Sequence, residues 1–257
     1  WYHYFKPGYN LHRSFRVCQW VRGQEYDAYR SAPLSKYRLE DYIKDTFTPH
    51  WRQLVETCLM NVEPFEKADD HYCAQLARAA IQWLEENKTR REPFLLWWDS
   101  FDPHEPWTPP KEFDRYTDPN YKGKKIILPC GGLAASHFTP EEIAYTRGLY
   151  AGEVAYVDHY VGQLLNKIAG LGYMDNSLIV LVADHGHPLA DHGKFLKGGD
   201  RMYSELLKVP FMIRFPGGRY GGRRLTALTQ FQDILPTLLE AIGLGNNIEA
   251  MHGRSLM

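Results

Sequence analysis

No apolar run in the 257-residue sequence approaches the roughly 20 residues that span a bilayer, so no membrane helix is predicted. Charge of one sign is lacking too: 30 basic and 31 acidic side chains leave a formal net charge of −1. That balance gives no bulk attraction to nucleic acid or an anionic membrane, so any bound anion must be held locally. The four cysteines, Cys18, Cys58, Cys73 and Cys130, form no C-x-x-C pair and are too sparse for a disulfide scaffold. Cys73 falls on the apolar face of a predicted helix and reads as a reduced core thiol. The aromatic, polar start Trp1-Tyr2-His3-Tyr4-Phe5 carries neither an initiator Met nor a signal-peptide pattern and reads as the interior of a longer protein. Internal repeats, low-complexity segments and interdomain linkers are absent.

What is present organises around residues 178–197, LIVLVADHGHPLADHGKFLK. The apolar residues 178–183 read as a buried strand, and everything polar follows at its carboxyl end, the edge where open α/β sheets bind ligands. A second apolar strand is predicted over 94–101, FLLWWDSF, and a third over 209–215, with a short one at 226–230. Helices are predicted over 37–45, 50–59, 69–87 (capped by Asp69 or Asp70), 202–208 and 231–242. Thr139-Pro140-Glu141-Glu142 is a capping box opening a long helix that ends at Gly170 or Gly172. Its apolar face is read as Ile143, Tyr150, Val154, Val157, Val161, Leu164 and Ile168. Strands alternating with helices predict an α/β fold with a largely parallel sheet flanked by helices.

Four residues carry candidate chemistry. Asp184 and His185 place a carboxylate and an imidazole side by side, two donors suited to a divalent metal; a turn cap and a backbone-bonded histidine would look the same. Lys197 offers a fixed positive charge at the same edge, suited to an anionic group; Lys194, three residues earlier, has no extra support. His104 lies in the loop 102–110, where four prolines in nine residues forbid regular structure. A histidine there can protonate a leaving group or bind an anion, or simply pack on Trp107. Asp102 and Glu105 flank it and either orient its ring or face water. His3, His12, His137, His187 and His192 have no spacing that sets them apart.

Together the ordered segments FDPHEPWTPPKEF, VLVADHGHPLADHGKFLK, Tyr203–Glu205, VPFMIRFPGG and FQDILPTLLEAIG…HGRSL resemble the sulfatase family of the alkaline phosphatase superfamily, over roughly residues 93–256. The resemblance implies an alkaline-phosphatase-like α/β fold and hydrolysis of a small-molecule or carbohydrate sulfate ester. It implies Asp184 and His185 as metal ligands, Lys197 as the lysine on the transferred sulfate, and His104 as the histidine near the sulfate and leaving oxygen. The implied metal is Ca²⁺, with Mn²⁺ or Zn²⁺ fitting a phosphate or phosphonate hydrolase. The implied nucleophile is a formylglycine made from Cys or Ser in a C/S-x-P-x-R motif.

No Cys or Ser here is followed by x-Pro-x-Arg, and the family's Asp-Asp metal pair and Gly-Lys-x-His segment are absent as well. Residues 3–15 resemble the part just after those segments. The expectation is a partial sulfatase-type catalytic domain over 1–257, lacking its N-terminal part and C-terminal subdomain and inactive alone. A phosphonate or phosphate monoester hydrolase of the same superfamily, and a non-catalytic relative, are the alternatives.

Overall fold

A computed structural model describes residues 9–90, 92–245 and 251–257. In chain order its elements are α1 (Pro49–Val62), α2 (Tyr72–Glu86), β1 (Gly132–Leu133), α3 (Ala134–His137) and α4 (Pro140–Gly170). Then come β2 (Ile179–Val182), β3 (Lys194–Phe195), α5 (Ser204–Leu207), β4 (Phe211–Arg214) and α6 (Ile234–Ala241). The chain divides into two compact units, one of the described residues up to Leu171 with Asp184–Val209, the other of Gly172–Ala183 with the described residues from Pro210 on.

In the first unit, α4 is the longest element, and its start is written in the sequence. Thr139 Oγ1 accepts from the Glu142 N–H at 3.2 Å, and Glu142 Oε2 accepts from the Thr139 N–H at 2.9 Å. Glu142 also pairs with Lys44 at 2.5 Å, fixing the helix start to the segment before α1. The buried face differs from the expected one: Glu142, Thr146, Leu149, Glu153, Tyr156 and Tyr160 point inward with Leu164, while Val154 is exposed. Polar groups can occupy that face because each finds a partner there, as Thr146 Oγ1 does on the Glu142 carbonyl.

Helix α2 packs along α4 and buries Cys73 completely, the core thiol expected from the sequence. It starts at Tyr72, later than expected, because Asp70 is used in a preceding 3-10 turn, accepting from the Glu66 and Lys67 N–H groups. Glycines let a loop lie directly on α4: a Cβ on Gly148 would sit 2.7 Å from the Tyr116 carbonyl oxygen, and one on Gly152 would sit 2.9 Å from Pro109. Val55, Leu59, Trp107, Ile126, Phe138 and Phe195 join the main core.

The second unit contains β2 and β4, with α6 burying Pro236 and Thr237. Asp233 accepts from the Gln230 N–H at 2.9 Å and the Arg254 N–H at 3.0 Å, which holds the HGRSL segment to the start of α6.

The α/β class is as expected, and the pairing direction is corrected. β1 pairs with β3, and β2 with β4, both antiparallel. Between β2 and β4 lie only β3 and the one-turn α5, with no crossover helix of the kind that parallel neighbours use. Residues 94–101 form neither strand nor helix, and Leu95 and Trp97 stay exposed where a buried strand was expected. Residues 226–230 form no strand, and 37–45 shrink to the 3-10 turn Leu39–Asp41. Among the described residues no helix is long and apolar enough to cross a membrane.

Candidate active site

The proline loop is rigid because its polar groups are spoken for. Trp107 is fully buried, its indole N–H donating to the Pro103 carbonyl at 3.0 Å and its backbone N–H to Ile127 at 2.8 Å. Asp102 accepts from the Cys73 N–H at 3.0 Å, at the start of α2. Glu153, from the middle of α4, accepts from the Thr108 N–H at 2.8 Å. One carboxylate therefore fastens each end of the loop that carries His104.

Lys197 reaches the same place from the other side. Phe195, fully buried against Phe138, anchors β3, and β1 pairing fixes its register two residues before the lysine. Leu196 between them takes φ 64°, a left-handed conformation that costs a non-glycine residue about 1–2 kcal/mol. Lys194 spends its charge on Asp200 at 2.6 Å. Lys197 Nζ instead lies 2.7 Å from His104 Nε2 and 2.7 Å from Glu105 Oε1, joining residues 93 and 92 positions apart.

The protonation pattern follows from the partners. His104 Nδ1 is 2.5 Å from the Glu105 carbonyl oxygen, which can only accept, so Nδ1 carries the proton. Its Nε2 lone pair then faces the Lys197 ammonium. The ring tilts on Phe101 at 5.2 Å, whereas Trp107, the packing partner considered from sequence, meets His187 at 5.0 Å. Burial works to raise the Glu105 pKa, but His104, Lys197 and His187 outweigh it and hold the carboxyl below its ordinary range.

His187, which no spacing sets apart in the sequence, lies beside Glu105. It is pulled down to about 4, chiefly by burial, so it is neutral at physiological pH, with Nδ1 3.6 Å from Glu105 Oε2. No hydrogen bond or ion pair among the described residues joins Asp184 or His185 to Lys197 or His104. The charges of His185, Lys197 and His104 all reach His187.

Asp184 and His185 do make local bonds, as their turn-cap reading expected. Asp184 Oδ1 accepts from the His185 N–H at 2.8 Å, and His185 Nδ1 donates to the Gly186 carbonyl at 2.7 Å. Those same bonds leave Nε2 unprotonated, the state in which an imidazole nitrogen binds a metal. The Asp184 carboxylate is 88% exposed, and its Oδ2 lies 3.7 Å from His185 Nε2. With ligand bonds of roughly 2.0–2.6 Å, that spacing fits two donors on one divalent cation. No set of three or more His, Cys, Asp or Glu side chains able to hold a metal occurs among the described residues, so this pair does not by itself make a metal site. A Cβ on Gly186 would sit 2.0 Å from the Glu205 carbonyl oxygen, so only glycine lets this loop pass α5.

The loop-fastening carboxylates give a testable pH signature. Burial raises Asp102 to about 6, partly offset by the Cys73 N–H, and burial together with the Asp102 charge raises Glu153 well above its ordinary value. An unfolded aspartate ionises near pH 4, so between there and about 6 only the folded protein keeps the proton. Folding is then fully favoured below that window and loses roughly 3 kcal/mol as pH rises through it. Asp102→Asn keeps an acceptor for Cys73 and is expected to flatten this slope in urea denaturation at pH 4.5–6.5. An unchanged slope would remove Asp102 as its source.

A family model described as Sulfatase matches residues 8–244. An arylsulfatase of Clostridium perfringens is 27% identical over 188 residues, covering 65% of this chain and 38% of that protein. An N-acetylglucosamine-6-O-sulfatase of Bacteroides thetaiotaomicron is 36% identical over 95 residues, 37% of this chain and 17% of that one. The crystal structure of a phosphonate monoester hydrolase of Agrobacterium radiobacter superposes with a TM-score of 0.56 at 25% identity, covering 70% of this chain and 40% of that one. The chain thus spans well under two thirds of each of these proteins.

Proposed function

Because the chain belongs to the sulfatase family, we propose that the protein carrying it is a sulfuric ester hydrolase to which these residues contribute half of the active site. The observation that carries this is the meeting of Lys197 Nζ with His104 Nε2 at 2.7 Å, an ammonium and an imidazole brought together across the unit on two rigidly held loops. Lys197 binds the sulfate oxygens and stabilises the charge that builds on them as the ester S–O bond breaks. His104 supplies the proton that the departing oxygen takes up with the bond's electron pair. For that, Nε2 must be protonated before the oxygen leaves. Two carboxylates flank the ring, Glu105 Oε2 at 3.5 Å from Nδ1 and Glu25 Oε1 at 3.9 Å from Nε2.

Asp184 and His185 would hold a divalent metal, Ca²⁺ above all, whose positive charge supports the nucleophile when bound. The nucleophile, a formylglycine, and the remaining ligands come from sequence beyond this chain, so the 257-residue polypeptide alone is expected to be inactive. The substrate class is a small-molecule or carbohydrate sulfate ester. The phosphonate hydrolase likeness favours a second reading, a phosphonate or phosphate monoester hydrolase.

Turnover of aryl sulfate, aryl phosphate and aryl phosphonate by the protein carrying this chain separates the two. The sulfatase reading expects the highest kcat/KM on sulfate, and a lower divalent-metal content after Asp184→Asn. Preference for phosphonate or phosphate selects the second reading, and an unchanged metal content removes Asp184 from the ligand set.

A further inference from the structure

Glu105 is the charged group that neither half of the proposed mechanism uses. Its side chain is only 8% exposed, yet one carboxylate oxygen, Oε2, has no hydrogen-bond partner. Leaving a buried carboxylate oxygen without a hydrogen bond is costly, and such exceptions call for a reason. The other oxygen, Oε1, holds Lys197 Nζ at 2.7 Å. Oε2 faces two imidazoles just beyond bonding reach, His104 Nδ1 at 3.5 Å and His187 Nδ1 at 3.6 Å. The Glu105 main chain meanwhile accepts the His104 Nδ1 proton. One residue therefore fixes the lysine by its side chain and the histidine tautomer by its carbonyl.

We propose that Glu105 is a positioning residue, holding the Lys197 ammonium against His104 Nε2 and lowering the net charge of the site to suit a singly charged ester. This rests on the reading of Lys197 and His104 as groups that contact the substrate. A lysine one third exposed on a four-carbon stem samples solvent unless something holds it. Glu105 supplies that hold through a charge-assisted bond. The same carboxylate cancels most of the ammonium's charge as an incoming anion sees it. A sulfate monoester bears one negative charge and a phosphate monoester nearly two, so removing the carboxylate's charge benefits the phosphate more.

The test uses the protein carrying this chain, with Glu105→Gln, Glu105→Asp and, as a reference, Lys197→Ala. kcat and KM are measured on 4-nitrophenyl sulfate and 4-nitrophenyl phosphate, with circular dichroism confirming the fold. Glu105→Gln has the same shape and is expected to lower kcat on the sulfate by about 30- to 100-fold with KM within about threefold, because alignment is lost while the binding groups remain. The phosphate-to-sulfate ratio of kcat/KM is expected to rise about tenfold or more. Glu105→Asp, which restores the charge on a shorter arm, is expected to return the ratio toward the parent value. A merely structural role would lower both esters alike and leave the ratio unchanged, which overturns the proposal, as does full sulfate turnover in Glu105→Gln. Full turnover in Lys197→Ala would instead overturn the underlying site reading, and the proposal with it.

Discussion

Replacing Lys197 by alanine is expected to lower kcat/KM on an aryl sulfate by about two to three orders of magnitude, the usual cost of removing one preorganised group aimed at developing charge. The expectation follows from where the ammonium is held. Nζ is bonded to Glu105 Oε1 and His104 Nε2, each at 2.7 Å, on a loop anchored by the fully buried Phe195. Lys194 provides the internal control. Its ammonium is tied to Asp200 at 2.6 Å, so Lys194→Ala is expected to change turnover by less than about threefold, as for exposed ion pairs worth little. Equal losses from both lysines would mean that the site responds to general positive charge and not to Lys197. Lys197→Arg is expected to rescue little, because a planar fork cannot take the place of a point charge held between a carboxylate and a ring nitrogen.

His104→Gln is expected to cost about 10²- to 10⁴-fold in kcat, with the size of the loss set by the leaving group. A nitrophenolate departs without help, so its ester shows the small end of the range. A sulfated sugar alcohol needs the proton as its oxygen leaves and shows the large end. That gradient separates proton donation from simple anion binding, which would cost every ester the same. The ring is held for this role: Nδ1 is bonded to the Glu105 carbonyl at 2.5 Å, leaving Nε2 as the atom that can take and give a proton. A flat loss across leaving groups would leave His104 as a binding residue only.

Much of this site could be read from residues, for definite physical reasons. The capping box at Thr139–Glu142 places a helix start by hydrogen bonds that neighbours supply to one another, so nothing distant was needed to see it. The strand before Asp184 was visible as an uninterrupted apolar run, though only Ile179–Val182 form the ladder. His104 and Lys197 were singled out by chemistry and family pattern, and the structure brings them into contact. The pairing direction was not legible, because a buried apolar run looks the same whichever way its neighbour points. The inward face of α4 was misjudged where tertiary partners overrule hydropathy. Glu153 and Tyr156 are buried because the Thr108 and Ala74 N–H groups meet them. Glu105 was seen only as a flanking carboxylate, since its value depends on Lys197, 92 positions away. His187 was passed over because no local spacing reveals an imidazole that packs on Trp107.

The central claim is that Lys197 and His104 act on one substrate as a unit. A double-mutant cycle of sulfate ester turnover measures this directly, using Lys197→Ala, His104→Gln and the two combined in the protein carrying this chain. Residues acting together lose most of their joint effect when either one goes. The double variant is therefore expected to be less than about tenfold slower than the slower single variant. Losses that multiply in full would show two independent groups and contradict the account.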